Sequence, residues 1–297
     1  VKHSDAVMVV CEDQEQTDKI LQVMDDLPAL KKIIVKDMKG LRHYSREKII
    51  SFTAVEALGR ELDSQEPGLF EEEVRLGRPE DVCIMVYTSG TTGKPKGVIR
   101  SHESHIAYYL HNAVDFDFNE HDVCLNVMPL CHINSTFFTF TFIYIGASVY
   151  IHPARSFNPA EILDIVESEK ITFISLIPTH YNLILNAPED ARKRDVGSIR
   201  KLLCSSAPVR KSMKLAIMDF FPGVELYEEY GSTEAGIVTI LKPEDQMKKL
   251  NSIGIESLGT DFVKILDVEE EKMGSDPGSD SREKRVVCHV SRKNGTP

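Results

Sequence analysis

The chain has 297 residues, 42% of them hydrophobic and 27% charged, with a formal net charge of −11. That length can bury a large core in one big domain or two smaller ones, and the balance is that of a soluble globular protein. The negative charge argues against nucleic acid or an anionic membrane surface as the main partner. The N-terminus has no basic-then-apolar signal and no apolar run approaches about 18 residues, so the expected setting is cytoplasmic, without a membrane span.

Taken in chain order, apolar strand-like runs alternate with amphipathic helical stretches. Strands are predicted at Lys32–Lys36, Val82–Tyr87, Val123–Met128, Ser148–His152, Thr172–Leu176, Lys201–Ser205, Val224–Tyr227 and Val263–Leu266. Helices are predicted at Gln14–Asp26, Glu103–Val114, Pro159–Glu167 and Ser212–Phe221, with Asn158-Pro159 a start signal and Pro222-Gly223 a stop. This alternation predicts an α/β fold with mainly parallel sheets flanked by helices. The runs Glu71–Glu73 and Glu269–Glu271 read as solvated surface.

Six cysteines (Cys11, Cys83, Cys124, Cys131, Cys204, Cys288) are scattered without a Cys-x-x-Cys pair. Cys83, Cys124 and Cys204 lie in apolar runs and are predicted to be buried free thiols of a reducing compartment. His102 and His105 have helix-face spacing, but no acidic or Cys partner joins them at metal-ligand spacing, so no zinc site is expected.

The run Tyr87-Thr88-Ser89-Gly90-Thr91-Thr92-Gly93-Lys94-Pro95-Lys96-Gly97 carries the most chemistry. Its glycines let the backbone turn sharply and approach a ligand closely. Hydroxyls and two lysines offer donors and positive charge with no acidic residue, which suits a triphosphate or pyrophosphate; Arg100 adds local charge. The preceding Asp81–Tyr87 reads as a buried strand that holds the loop's base. A Walker-type loop is rejected by spacing: two residues, not four, separate Gly90 from Gly93, and Pro95 follows Lys94 where that motif needs Ser or Thr. A plain surface turn uses the same residue types, yet this run is long and lacks apolar residues.

Tyr227-Glu228-Glu229-Tyr230-Gly231-Ser232-Thr233-Glu234-Ala235-Gly236 is the second signal. It joins an aromatic face, hydroxyls and a carboxylate of the kind that holds magnesium. Leu203-Cys204-Ser205-Ser206-Ala207-Pro208 puts small residues at a strand end, where a flat ring or a plain strand-to-helix turn fits equally well. Met128-Pro129-Leu130-Cys131-His132-Ile133-Asn134-Ser135 places a histidine before Phe137, Phe138, Phe140, Phe142 and Tyr144, aromatics that line an acyl pocket or fill a core.

Together these segments resemble the adenylate-forming, AMP-binding superfamily, most closely its acyl-CoA synthetases and fatty-acid–CoA ligases. The resemblance spans roughly residues 5 to 265. It implies part of the large N-terminal domain of such an enzyme, which makes an acyl-adenylate from ATP and a carboxylic acid, then a thioester of coenzyme A, releasing pyrophosphate and AMP. By resemblance, Thr88, Ser89, Gly90, Thr91, Thr92, Gly93, Lys94 and Lys96 clamp the leaving phosphates. Ser206, Ala207 and Pro208 border the adenine, Tyr230 stacks on it with Gly231 beside it, Thr233 meets the α-phosphate, Glu234 holds Mg²⁺, and His132 orients the acid. Here Ser205 and Ser206 replace two glycines of the family pattern, Cys131 an aromatic and Ser135 a glycine. An inactive nucleotide-binding remnant and an amino-acid adenylation domain are the alternatives.

Both ends read as cut. Relatives carry a further stretch before the phosphate loop, on the order of a hundred residues against the ~80 here, and Val7–Val10 reads as a strand entered mid-fold. They also carry a ribose-binding Asp and a small C-terminal domain with a lysine for adenylation, none of which matches a segment here. Residues 1–267 are therefore expected to be a truncated large domain. The tail 268–297, poor in apolar residues, is expected to be disordered or aberrant through a shifted frame or truncated gene.

Overall fold

The computed structural model describes residues 1–88, 94–153, 156–260, 262–267 and 284–289. It separates into two compact units, Val1–Met85 and Val86–Pro297.

In the first unit, β1 (Met8–Cys11), β2 (Lys32–Val35) and β3 (Ile49–Ser51) form a parallel sheet in that order, with Met8 opposite Lys32 and Ile33 opposite Ile49. Its core gathers Cys11, Leu27, Leu30, Ile33, Val35, Leu41 and Ile49. Helix α1 (Gln14–Leu21) starts where the Asp13 carboxylate accepts from Gln16 N at 3.1 Å. It stops earlier than the predicted Asp26, the remainder forming a 3₁₀ turn at Met24–Asp26. Helix α2 (Phe52–Gln65) starts on the Ser51 hydroxyl, and α3 (Leu69–Leu76) carries Glu71–Glu73 on its exposed surface.

Strand β4 (Val82–Thr88) leads into the second unit and pairs with β5 (Lys96–Ser101) as a two-stranded ribbon. The expectation that Asp81–Tyr87 is buried is corrected: β4 is half-exposed along its length, and Cys83 is exposed. An apolar run fixes the extended backbone without fixing what covers it. The Ser101 hydroxyl caps α4 (His102–Asp115), accepting from Ser104 N at 3.2 Å.

The main sheet of the second unit has seven strands. In chain order they are β6 (Val123–Asn126), β7 (Ser148–Ile151), β8 (Phe173–Leu176), β9 (Lys201–Cys204), β10 (Glu225–Ser232), β11 (Gly236–Leu241) and β12 (Ile255–Glu256). Across the sheet the order is β12-β11-β10-β9-β8-β6-β7. The run from β7 to β10 is parallel, and β11 and β12 add antiparallel. Strands β8 and β9 are buried at every residue, as parallel strands covered on both faces must be.

Alternate strand residues supply two separate cores. Ile174, Leu202, Cys204 and Leu226 face α6 (Pro159–Glu169), α7 (Pro178–Leu185) and α8 (Lys211–Phe220). Phe173, Leu203 and Tyr227 face α4 and α5 (Ile133–Tyr144). On α5, Phe137, Phe138 and Phe142 are buried, while Phe140 and Tyr144 are exposed.

Within the tail expected to be disordered, Lys284–His289 instead forms β14, antiparallel to β13 (Phe262–Asp267) with Val263 opposite Cys288. The rest of that tail lies outside the described residues.

Candidate active site

A cavity of about 1290 Å³ opens within the second unit. Its walls are the segments that leave the carboxyl ends of the parallel strands: Met128 after β6, Ile177 after β8, Ser205–Val209 after β9, and Glu228–Thr233 along the end of β10. In open α/β sheets ligands bind at that edge, where each strand hands over to its loop.

The turn from β10 to β11 is built tightly. A Cβ on Gly231 would lie 2.2 Å from the Gly236 carbonyl oxygen, so only glycine fits there. Gly236 itself has φ +73, and a Cβ on it would meet the Tyr108 hydroxyl. That hydroxyl donates to the Ala235 carbonyl at 2.9 Å and lies 3.1 Å from that of Ile237, so the turn is tied to α4. The buried Arg100 guanidinium adds a second tie, donating to the Thr233 and Glu234 carbonyls at 3.0 and 3.1 Å. It sits 5.1 Å from the ring centroids of both Tyr108 and Phe137, which stack on each other at 4.3 Å. Burial lowers the Arg100 pKa, and the sequence reading of Arg100 as loop charge gives way to a buried clamp under the turn.

The turn after β9 is strained. Ala207 N donates to the Ser205 carbonyl at 2.9 Å, closing a three-residue turn whose central Ser206 has φ +68. That is the left-handed region which favours glycine.

On the α5 side, His132 and Asn134 enter the cavity wall with Phe137 and Phe138. Asn134 Nδ2 donates to Glu229 Oε1 at 2.8 Å, and Ser175 Oγ donates to Asn134 Oδ1 at 3.0 Å. Burial pushes the Glu229 carboxyl up to about 7, the Asn134 hydrogen bond opposing it. On the other face of the sheet, Glu228 pairs with the buried Lys214 ammonium, which also donates to the Gln246 carbonyl at 3.4 Å.

Of the predicted site residues, Thr88, His132, Ser206, Ala207, Pro208, Tyr230, Gly231 and Thr233 all line this cavity. Glu234 is exposed next to Thr233 and outside the lining, as are the exposed Lys94 and Lys96. Ser89, Gly90, Thr91, Thr92 and Gly93 lie outside the described residues. Sequence reasoning gave no role to Asn134, Glu229 or Tyr108. Strand alternation from the apolar Leu226 and Tyr227 is the signal that separates Glu228 from Glu229.

His105 is buried within α4, 2.8 Å from the Tyr109 hydroxyl, and burial lowers its pKa to about 4. Among the described residues no group of three or more His, Cys, Asp or Glu side chains could enclose a metal, and no helix is long and apolar enough to cross a membrane. A magnesium ion that takes most of its ligands from phosphate and water needs only one or two carboxylates, and the exposed Glu234 fits that demand.

Residues 1–278 match the family model described as AMP-binding enzyme. The chain is 33% identical over 184 residues to a feruloyl-CoA synthase of Amycolatopsis sp, covering 61% of this chain and 36% of that protein. It is also 33% identical over 197 residues to the medium/long-chain-fatty-acid–CoA ligase FadD8 of Mycobacterium tuberculosis, covering 65% and 33%. The chain thus spans about a third of the length of these curated relatives. Its fold resembles the inhibitor-bound N-terminal domain of FACL13 from Mycobacterium tuberculosis, with TM-score 0.68 and 22% identity over 88% of this chain and 65% of that one.

Proposed function

Because the chain belongs to the AMP-binding enzyme family, we propose that it carries the nucleotide- and acid-binding part of an acid–CoA ligase. Such a ligase activates a carboxylic acid with ATP to an acyl-adenylate and then passes the acyl group to coenzyme A. The observation that carries this reading is the meeting, in one cavity, of Thr88 from the phosphate-loop flank with Ser206–Pro208, Tyr230–Thr233 and His132. The cavity exceeds the roughly 300–1,000 Å³ of a single small-molecule site, which suits two substrates bound together.

In this reading Tyr230 offers its ring to the adenine and Thr233 its hydroxyl to the α-phosphate. His132 orients the acid so that a carboxylate oxygen attacks the α-phosphorus. The bond from that phosphorus to the bridging oxygen breaks, and pyrophosphate leaves toward the loop that ends in Lys94 and Lys96. Fixed donors facing the developing charge lower the barrier without reorganising during the step. Glu234 would hold magnesium, whose charge, when the ion is bound, offsets that of the phosphates.

The acid sits among Ile133, Phe137, Phe138 and Ile177, an apolar wall suited to a hydrocarbon body, and a fatty acid is the occupant we favour. Calorimetry with ATP and Mg²⁺ and pyrophosphate exchange with a fatty-acid panel test the reading. Lys94→Ala should weaken ATP binding about tenfold more than AMP binding. Equal losses would contradict the phosphate role, and binding without exchange would favour a remnant. Exchange with amino acids alone would point to an amino-acid adenylation domain.

A further inference from the structure

The turn Ser205–Pro208 on the cavity wall is held at both ends by neighbouring elements. At its entry, Ser205 N donates to the carbonyl of Leu176, the last residue of β8, at 3.0 Å. At its exit, Val209 N donates to Glu228 Oε2 at 3.3 Å. In the first turn of α8, Lys214 pairs with the same carboxylate through Oε1. Glu228 is itself fixed in the sheet, opposite Cys204 of β9 on one side and Leu241 of β11 on the other. Lys214 is buried, and its ammonium also donates to the Gln246 carbonyl at 3.4 Å. Gln246 is buried too, and its Nε2 donates to the Leu241 carbonyl at 2.9 Å. A lysine outside the cavity lining thus joins the start of α8, strand β10 and the loop after β11.

Stability does not account for a lysine at this place. Replacing a buried ion pair with apolar residues of similar volume is often neutral or stabilising, whereas removing one partner alone is costly. We propose that Lys214 is a positioning residue for the nucleotide: it holds the Glu228 carboxylate against Val209 N and so fixes the shape of the Ser205–Pro208 turn. This rests on the nucleotide-binding reading above and adds to it a residue that touches no ligand. Ser206, at φ +68, gives the turn a conformation that its own sequence does not favour, so its shape depends on what grips its ends. Leu176 grips the entry and Glu228 the exit, and the second grip lasts only while Lys214 keeps the carboxylate in place.

The test is calorimetric binding of adenosine and of tripolyphosphate, as separate probes, to the whole chain. Lys214→Met should weaken adenosine about tenfold, the worth of one hydrogen bond to a charged acceptor, and leave tripolyphosphate within about twofold. Two double variants serve if the single one fails to fold. Lys214→Met with Glu228→Leu replaces the pair by apolar residues and should keep the wild-type urea midpoint while losing adenosine about tenfold. Lys214→Met with Glu228→Gln keeps an acceptor for Val209 N and should bind adenosine within about threefold of wild type. Hydrogen exchange of the segment 205–210, read by mass spectrometry, should quicken in the leucine double variant and stay slow in the glutamine one. A direct contact between Glu228 and the ligand would not produce that difference. Wild-type adenosine affinity in the leucine double variant, exchange that is the same in both, or a larger loss for tripolyphosphate than for adenosine would overturn the proposal. The last of these is what the missing charge alone would cause. ATP binding to the wild type separates the two readings: normal ATP affinity with unaltered variants overturns this inference alone, and absent ATP affinity overturns the function beneath it.

Discussion

Replacing Arg100 with methionine should loosen the nucleotide side of the cavity without touching its lining. The wild-type guanidinium makes two hydrogen bonds, to the Thr233 and Glu234 carbonyls, and lies over two aromatic rings. Hydrogen bonds involving a charged group contribute about 1.5–3 kcal/mol each, and each ring contact about 0.5–1 kcal/mol. Against that gross sum stands the cost of burying a cation, several kcal/mol and only partly offset by the nearby Glu234 charge, which methionine avoids. The net expectation is a loss of about 2–3 kcal/mol, since two carbonyls of the turn also lose their donor. For a chain of this size that is a shift of roughly 1 M in the urea midpoint. Far-UV circular dichroism during urea titration reads it, and calorimetry should show ATP affinity falling about tenfold as Thr233 loses its fixed position. Arg100→Lys should fall between the two, because a single ammonium cannot span both carbonyls as a planar fork does. An Arg100→Met protein with the native urea midpoint and native ATP affinity would refute the clamp.

Two further outcomes follow from strained or buried groups. The Glu229 carboxyl is raised by burial from its ordinary value to about 7, so the folded state binds more protons than the unfolded state between pH 4.5 and 7. Its contribution is therefore full below the unfolded pKa and is lost as pH rises through the folded one. The loss is on the order of 3 kcal/mol, and urea titrations from pH 5 to 8 should show a slope that Glu229→Gln flattens. Ser206, held at φ +68, should gain from Ser206→Gly, the relief of left-handed strain exceeding the added unfolded-state entropy by roughly 0.5–1 kcal/mol. A thermal midpoint that does not rise would show that the serine is comfortable there.

What the sequence could reveal depended on whether the signal was local. The α/β alternation was readable because buried parallel strands such as Phe173–Leu176 and Lys201–Cys204 are short continuous apolar runs between capped helices. The pairing of helix signals with real caps held for the same reason: Asn158 accepts from Ala160 N at 3.1 Å, and Gly223 has φ +78. Most of the predicted site residues that are described share a cavity because their motifs sit at the carboxyl ends of strands that lie side by side. Burial was less readable, as the exposed Cys83 shows, since the composition of β4 does not specify its neighbours. The clamp that Arg100 makes could not be read, because the carbonyls it serves lie more than a hundred positions away and backbone acceptors leave no trace in a sequence.

The two glutamates of β10 mark the boundary between these cases. Their alternation was available from Leu226 and Tyr227, one facing each core, so the opposite orientations of Glu228 and Glu229 follow from position alone. What alternation could not supply was the inventory on each side. Lys214 comes from α8 and neutralises one carboxylate; Asn134 comes from the first turn of α5 and satisfies only half of the other. The chain thus leaves Glu229 Oε2 enclosed without a hydrogen-bond partner among the described residues, a cost to the folded state that strand alternation alone does not announce.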